Sequence, residues 1–398
     1  MTRDTGPTPP SERIVSLDAL RGVALLGILV INIWVFSMPE ATLVNPTAYG
    51  DLTGANYWAW FLAHVFGQNT FITLFSALFG AGILLFVESK SKKGQPAVRL
   101  HYRRTAILIA IGLLHAYLLW YGDILVAYGI SALFLIFLRD LDAPQLAALG
   151  GLFLLLLAAL RLFAAFTIGG EAIAGQWAPT EAAIRQEVAA YRGGWLEQLD
   201  HRVPAAFQRQ TGIVENFWQI GGTMLLGMAL YRWGVLTGER STAFYKRLVG
   251  LGAVGVGIIV AGVVYIETNN WSADAALFWL QFNYWGSLLV AGGYLGVVML
   301  YARRRPDGPV TQGFAAVGRT AFTNYLLQTV IATTIFYGHG LGLFGSVNRV
   351  EQLGIVVAIW VVQVVLSVFW LRYFRFGPVE WVWRTLTYGE RQPMRSSE

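Results

Sequence analysis

The sequence predicts an all-α membrane protein: a polytopic bundle of about ten transmembrane helices, with both termini cytoplasmic and one extracytoplasmic helical lid segment. Three observations predict it. Hydrophobic residues make up 56% of the 398 residues and charged residues 13%, roughly half the share usual in soluble domains. Apolar runs of bilayer-spanning length recur along the whole chain. Lys and Arg collect beside alternate ends of those runs.

A spanning helix needs roughly 20 mostly apolar residues. Such runs fall near 16–36, 57–88, 105–121, 123–138, 145–168, 213–231, 248–267, 277–302, 319–338 and 352–373. The first follows Arg13 as a signal peptide would, but Asp18, Arg21 and Asn32 interrupt it and no small-residue cleavage site follows. It reads as an uncleaved anchor. The second is too long for one span, and Gly67-Gln68-Asn69 breaks it into a short interfacial helix from Tyr57 and a span from about Phe71 to Val87.

Orientation follows from the distribution of cations. Place the N-terminus, 89–104, 139–144, 232–247, 303–318 and the C-terminal tail inside, with the helix-end residues Arg21, Arg319 and Arg372. That side then holds 23 of the 29 Lys and Arg residues. Arg185, Arg192, Arg202, Arg209 and Arg349 fall outside, and Arg161 lies within a span. The chain therefore reads as a single membrane domain over 1–398, with both termini on the cytoplasmic side. Residues 169–212 form the lid, with Glu181 to Tyr191 helical and Gly193-Gly194 and Pro204 as breakers; 374–398 form an interfacial helix and tail.

Composition also excludes function classes. With no cysteine there is no disulfide, thiolate nucleophile or cysteine metal site. The net charge of +6 lies beside apolar runs and forms no patch interleaved with aromatics, so the expected partners are membrane lipids and not nucleic acid. Histidines are never paired at metal-ligand spacing within a span, so no metal is expected. GxSxG and Walker A motifs are absent, and no internal repeat is evident. Gly292-x-x-x-Gly296 permits close helix approach and leaves a homodimer open.

Ionisable groups at membrane depth are costly and mark candidate sites. His115 sits well inside the third span and reads either as a core histidine or as a general base. Asp123 follows at the outer turn after Gly122. On a continuous helix the two would lie about 12 Å apart, so a His115–Asp123 pair requires a hairpin bend or a bridging water. Arg13 and Arg21 read either as a helix-end cap and snorkelling cation or as a pair for an anionic cytoplasmic ligand. Polar stripes at Thr320, Asn324 and Gln328, and at Glu215, Gln219 and Thr223, are either interhelical glue or the lining of a hydrated cavity that also includes Arg161. Pro378 suits the first turn of a helix whose Arg375 and Arg384 either anchor it at the interface or join Arg103 and Arg104 around a phosphorylated cofactor.

The stretches RIVSLDALRGVALLGILVINI, LFSALFGAGILLF, GLLHAYLLWYGDIL and GRTAFTNYLLQ…FRFGPVEWVWRTLTYGERQPMR closely resemble the bacterial YeiB-type family of multi-pass proteins of unknown function (domain of unknown function 418). More distantly, Arg13-x4-Asp18-x2-Arg21-Gly22 resembles the opening of transmembrane acyltransferases of the acyltransferase-3 and heparan glucosaminide acetyltransferase types. Asn32, nineteen residues after Arg13, is similar to the second type. The chain departs from those enzymes in having no histidine in 37–56, so His115 is its own candidate. The resemblance implies a membrane acyltransferase that moves an acyl group from cytoplasmic acyl-CoA, such as acetyl-CoA, to a sugar, lipid or small-molecule acceptor. Arg13, Arg21, Arg103, Arg104, Arg375 and Arg384 would then hold the phosphates, His115 would act as base, Asp123 would orient it and Asn32 would stabilise the oxyanion. The alternative is a proton-coupled transporter or exporter of a small amphipathic molecule.

Overall fold

The computed structural model describes residues 14–395, apart from the side chains of Ala172 and residues 213–216. In chain order the α-helices are α1 Val15–Ser37, α2 Gly54–Gly67, α3 Thr70–Lys92, α4 Ala97–Leu114, α5 Leu125–Leu135, α6 Ala143–Thr167, α7 Ala174–Trp177, α8 Glu181–Arg192, α9 Leu199–Thr211, α10 Ile213–Arg232, α11 Thr242–Thr268, α12 Ala273–Arg304, α13 Pro309–Arg319, α14 Ala321–Phe336, α15 Arg349–Tyr373 and α16 Pro378–Tyr388. No strand occurs among the described residues; one isolated bridge joins Phe374 to Arg395. The chain is an all-α membrane protein.

Local signals set the ends of these helices. Asp142 and Gln145 form a reciprocal capping box at the start of α6, and Asn348 and Glu351 do the same for α15. Ser241 and Ser272 each accept a backbone N–H at the starts of α11 and α12. The predicted break after Tyr57's helix falls at Gln68-Asn69, where Asn69 takes a left-handed conformation with φ of 59°.

Every predicted run is helical. Seven helical segments among the described residues are long and apolar enough to cross a membrane: Val15–Ser37, Gly54–Lys92, Ala97–Leu119, Ala143–Thr167, Thr242–Thr268, Ala273–Arg304 and Arg349–Tyr373. Three predicted spans fall outside that set. Leu125–Leu138 is apolar but shorter, and the other two are α10 and α14. One local expectation is corrected, at Pro204. Residues 309–318, within the 303–318 segment placed inside, form α13, and α13 and α14 follow one another across a break at Thr320. Pro204, expected to break the lid, lies inside α9, which the buried Arg202 and Ala206 hold by packing.

Helix α1 is the hub, packed by α13, α14, α3, α12 and α15. Its contact with α13 is backbone on backbone. A Cβ at Gly22 would sit 2.0 Å from the Phe314 carbonyl oxygen, and one at Gly318 would sit 1.9 Å from that of Asp18. The glycine of the Arg21-Gly22 pair is therefore what lets α13 lie against α1, a small-residue contact of the kind that packs membrane helices. At one end of the bundle lie Lys90, Lys92, Lys93, Arg375 and Arg384 (the basic end). Residues 174–211, which carry α7, α8 and α9, pack over the turn after α4, where Trp195 donates to the Leu118 carbonyl at 2.9 Å and Arg202 to the Tyr117 carbonyl at 3.0 Å (the cap).

Candidate functional site

Helix α4 ends in a single π turn, His115–Leu119, closed by a bond from Trp120 N–H to the His115 carbonyl at 2.9 Å. Such turns recur at functional sites because the extra residue re-aims a side chain. The chain reverses through Trp120-Tyr121-Gly122 and enters α5. Gly112 allows the return, since a Cβ there would meet Val126 N at 2.9 Å and Asp123 Oδ1 at 3.0 Å.

The reversal brings His115 and Asp123 into direct contact, His115 Nδ1 to Asp123 Oδ2 at 2.7 Å, with side chains only 1% and 2% exposed. The bend required by the eight-residue spacing is present, with no bridging atom. Asp123 Oδ1 accepts the Val126 N–H at 3.0 Å, which caps α5 and fixes the carboxylate. On the opposite ring nitrogen, His115 Nε2 lies 2.9 Å from Thr329 Oγ1 of α14. A neutral imidazole that donates Nδ1–H to Asp123 leaves Nε2 to accept the threonine hydroxyl proton. Nε2 is then the basic nitrogen, oriented from behind by a carboxylate.

A cavity of about 770 Å³ runs from the basic end toward this pair. Its wall carries Arg21, Lys90, Lys92, Lys93, Arg104, Arg319, Arg375 and Arg384 against the three carboxylates Asp18, Glu88 and Glu380. Aromatic faces position several of these cations. Arg104 lies 4.3 Å from the Trp383 ring centroid, Lys90 4.6 Å from that of Tyr388, and Arg384 4.5 Å from that of Phe376. Deeper in, Leu17, Phe75, Leu78, Phe79 and Leu108 make the wall apolar, and Ile124, Leu125, Tyr128 and Tyr325 also line it. The Tyr325 ring centroid is 5.3 Å from that of His115, and its hydroxyl accepts the Ile124 N–H at 3.3 Å. One aromatic ring thus separates the cavity from the His115–Asp123–Thr329 group.

The C-terminal helix α16 forms part of the cavity mouth. Trp383 donates its indole N–H to the Arg104 carbonyl at 2.9 Å. Glu380 accepts from Phe322 N–H at 2.7 Å and Thr323 N–H at 3.1 Å, capping α14 where it restarts after Thr320. The partial positive charge of that helix end favours the carboxylate. Burial pushes the Glu380 carboxyl above its usual range, against the opposing pull of those hydrogen bonds.

Among the sequence-predicted site residues, His115 and Asp123 meet. Arg21, Arg104, Arg375 and Arg384 share the cavity wall. Arg103 is exposed and off that wall, beside Gly389. Arg13 and the side chain of Glu215 lie outside the described residues. Asn32 is half-buried and makes no hydrogen bond to His115 or Asp123. Of the two readings of the α14 stripe, the bonds favour interhelical glue: its residues pack between helices and are not on this cavity's wall. Asn324 donates to Thr320 Oγ1 at 2.9 Å and Ser367 Oγ at 2.8 Å, and Gln328 donates to Gln363 Oε1 at 3.0 Å. Gln219 and Arg161 are also absent from the cavity wall; Arg161 lies 5.3 Å from the Tyr284 ring centroid. Sequence reasoning missed Thr329, Tyr325 and Glu380. Thr329 directly follows the polar stripe, but nothing local links it to a histidine 214 positions away.

Comparison with known proteins adds a family. A profile described as "Protein of unknown function (DUF418)" matches residues 230–390. The chain is 36% identical over 381 residues to "Uncharacterized protein YeiB" of Escherichia coli (strain K12), covering 94% of this chain and 96% of that protein. The chain belongs to the YeiB/DUF418 family. It is also 33% identical over 416 residues to "Uncharacterized protein YxaH" of Bacillus subtilis (strain 168), covering 98% and 97% of the two chains. Family membership extends over the α1 hub and the His115 turn as well as the C-terminal half, since these matches run nearly end to end.

Proposed function

We propose that this protein is an acyltransferase of the bacterial cytoplasmic membrane that takes an acyl group from acyl-CoA and delivers it to an acceptor on the cap side. One observation carries the reading: a cavity with a cationic mouth and an apolar interior ends one ring away from a buried imidazole backed by a carboxylate. The mouth suits the phosphates of CoA, whose pantetheine arm and acyl group suit the apolar interior. The basic end is then cytoplasmic, as the cation distribution predicts.

In this reading the acceptor hydroxyl or amine takes the place of the Thr329 hydroxyl at His115 Nε2. Nε2 removes its proton as the acceptor oxygen or nitrogen bonds to the thioester carbonyl carbon. The carbon–sulfur bond then breaks, and the proton on the imidazole passes to the departing thiolate. Asp123 holds the imidazole in the required tautomer and stabilises the transient imidazolium, as a carboxylate does in other histidine-based acyl transfer. Tyr325 stands where the donor must pass and has to turn aside for transfer.

The test is calorimetric titration of the purified protein with acetyl-CoA, followed by acetyl transfer in the wild type and in His115→Ala. Saturable binding that weakens in Arg104→Gln, with transfer lost in His115→Ala, is expected. Unchanged turnover in His115→Ala removes the base assignment. Absence of acetyl-CoA binding, with solute flux into proteoliposomes, would replace the enzyme by a transporter.

A further inference from the structure

We infer that the cap positions the base: Arg202 and Trp195 hold the π turn of α4 in the shape that lets His115 meet Asp123. The inference rests on the acyltransferase reading and makes Arg202 and Trp195 positioning residues of that same site.

The last carbonyls of a helix have no helical N–H ahead of them and must find other donors. At Trp120 the backbone is extended, with φ of −156° and ψ of 123°, so no further helical turn supplies them. The cap does. Arg202 Nε donates to the Tyr117 carbonyl at 3.0 Å, and the Trp195 indole N–H donates to the Leu118 carbonyl at 2.9 Å. Both acceptors lie inside the π turn His115–Leu119. Tyr117 is held a second time, because its hydroxyl donates to Gln210 Oε1 of α9 at 3.3 Å.

The chemistry of Arg202 marks this contact as more than packing. Arg202 is 1% exposed, and its hydrogen bonds among the described residues go to neutral acceptors: the Tyr117 carbonyl, Gln198 Oε1 at 3.4 Å and the Trp195 carbonyl at 3.4 Å. Burying a cation on neutral acceptors is unfavourable. The end of α4 offsets that cost, since the carbonyl end of a helix carries partial negative charge. Trp195 supports the same guanidinium with its ring, whose centroid lies 5.2 Å away.

The shape of the turn decides whether the imidazole meets its carboxylate. Trp120 N–H bonds to the His115 carbonyl, where an α-helix would use the Ala116 carbonyl, so the turn holds one residue more than an α turn. Relaxation to α geometry would rotate the chain after Trp120 by about 100° around the α4 axis, the angle each residue of an α-helix turns. Asp123 lies in the rotated part and would leave His115 Nδ1. Thr329 bonds the opposite ring nitrogen from α14 and does not replace the carboxylate. Cap and base are thus one unit: Asp123 backs the imidazole while Arg202 and Trp195 occupy the carbonyls of the turn.

The experiment is NMR of the full chain in lipid nanodiscs, with histidine labelled at its ring nitrogens, beside thiol release from acetyl-CoA with glycerol as acceptor. The His115 signals are those missing in His115→Gln. Trp195→Phe removes one indole N–H from an exposed residue and keeps a ring, so it should fold even where Arg202→Gln does not. Arg192→Gln is the control, because Arg192 ties the cap to the Phe344 carbonyl at 2.8 Å and Ser346 Oγ at 2.7 Å, outside the turn. Wild type should show one tautomer, protonated at Nδ1. Trp195→Phe should show a mixture and lose about 2- to 10-fold in kcat, the range spanned by one neutral hydrogen bond. Arg202→Gln, where folded, should lose about 10- to 150-fold, and Arg202→Lys should recover part of that. KM for acetyl-CoA should stay within about threefold, because the bonds removed act on the transfer step. Arg192→Gln should match wild type. A fixed tautomer or an unchanged kcat in Trp195→Phe overturns the inference, and so does an equal loss in Arg192→Gln. Where wild type neither binds nor turns over acetyl-CoA, the acyltransferase reading fails, and the ring spectra alone decide the positioning.

Discussion

His115 Nδ1 and Asp123 Oδ2 are 2.7 Å apart, although a straight helix would separate residues at that spacing by about 12 Å. The π turn and the reversal before α5 close that gap, and the result is an imidazole with a fixed tautomer. Asp123→Asn should keep the packing but present an amide that no longer favours the same tautomer. Acetyl transfer should fall by about two to four orders of magnitude, while acetyl-CoA affinity stays within a factor of about three. Steady-state kinetics beside calorimetric titration checks both.

Tyr325 separates the cavity from His115, so its size should govern leakage. Tyr325→Ala should open the partition and raise CoA release in the absence of acceptor. Tyr325→Phe keeps the ring and loses one hydrogen bond, worth about 0.5–1.5 kcal/mol. A thiol-release assay without acceptor distinguishes them: equal rates in both variants and the wild type would show that the ring is no barrier.

Arg104 lies on the cavity wall, whereas the adjacent Arg103 is exposed and off it. If phosphates dock at the mouth, Arg104→Gln should lose a charge-assisted contact worth about 1.5–3 kcal/mol, roughly a 10- to 150-fold weakening. Arg103→Gln should change affinity by less than about threefold at physiological salt, because exposed charges are screened. Equal effects of the two substitutions in calorimetry would place the ligand elsewhere.

Gly22→Ala puts a methyl group 2.0 Å from the Phe314 carbonyl oxygen and forces α13 away from α1. Overpacking of this kind costs about 1–3 kcal/mol or more, because backbone must move. Gly250→Ala meets nothing within 4 Å and should be neutral. Thermal unfolding in detergent should show a clear fall only for Gly22→Ala.

Glu187 in the cap has its carboxyl pushed up to about 7, chiefly by burial, opposed by the hydrogen bond it accepts from Glu40 N–H and reinforced by the Glu40 charge. Its folded-state pKa therefore exceeds the unfolded value near 4.5. The stability it contributes is present in full below about 4.5 and is lost as pH rises through about 7. Glu40, Tyr191 and Tyr337 interact electrostatically with it, and Arg209 pairs with Glu40 at 3.0 Å. Limited proteolysis of 169–212 should accelerate between pH 5 and pH 8, and Glu187→Gln should flatten that dependence.

Much of this protein was legible in its residues because the bilayer restricts the options. Apolar run length and cation placement depend on local composition, so the helical runs, the break at Asn69, the α8 helix and the helix at Pro378 could be read directly. The same local physics marked His115 and Asp123 as expensive at depth. It could not say whether they met, because that turned on one π turn and on Gly112 admitting α5. The α14 stripe shows the opposite limit. Its helical spacing was correct, but a polar face serves glue and cavity equally, and only the positions of Gln363 and Ser367 on α15 decided for glue.

By itself the sequence determined a polytopic helical membrane protein, the helical segments and the list of costly polar residues, since these follow from transfer of side chains and backbone into lipid. Tertiary structure alone decided which of those residues share a site. Thr329 reaches His115 across 214 positions, Glu380 caps α14, and Tyr325 stands between a cationic cavity and an imidazole. Those relationships are set by helix packing at glycine contacts such as Gly22 against Phe314. Packing partners far apart in the chain leave no periodic or compositional trace in either segment.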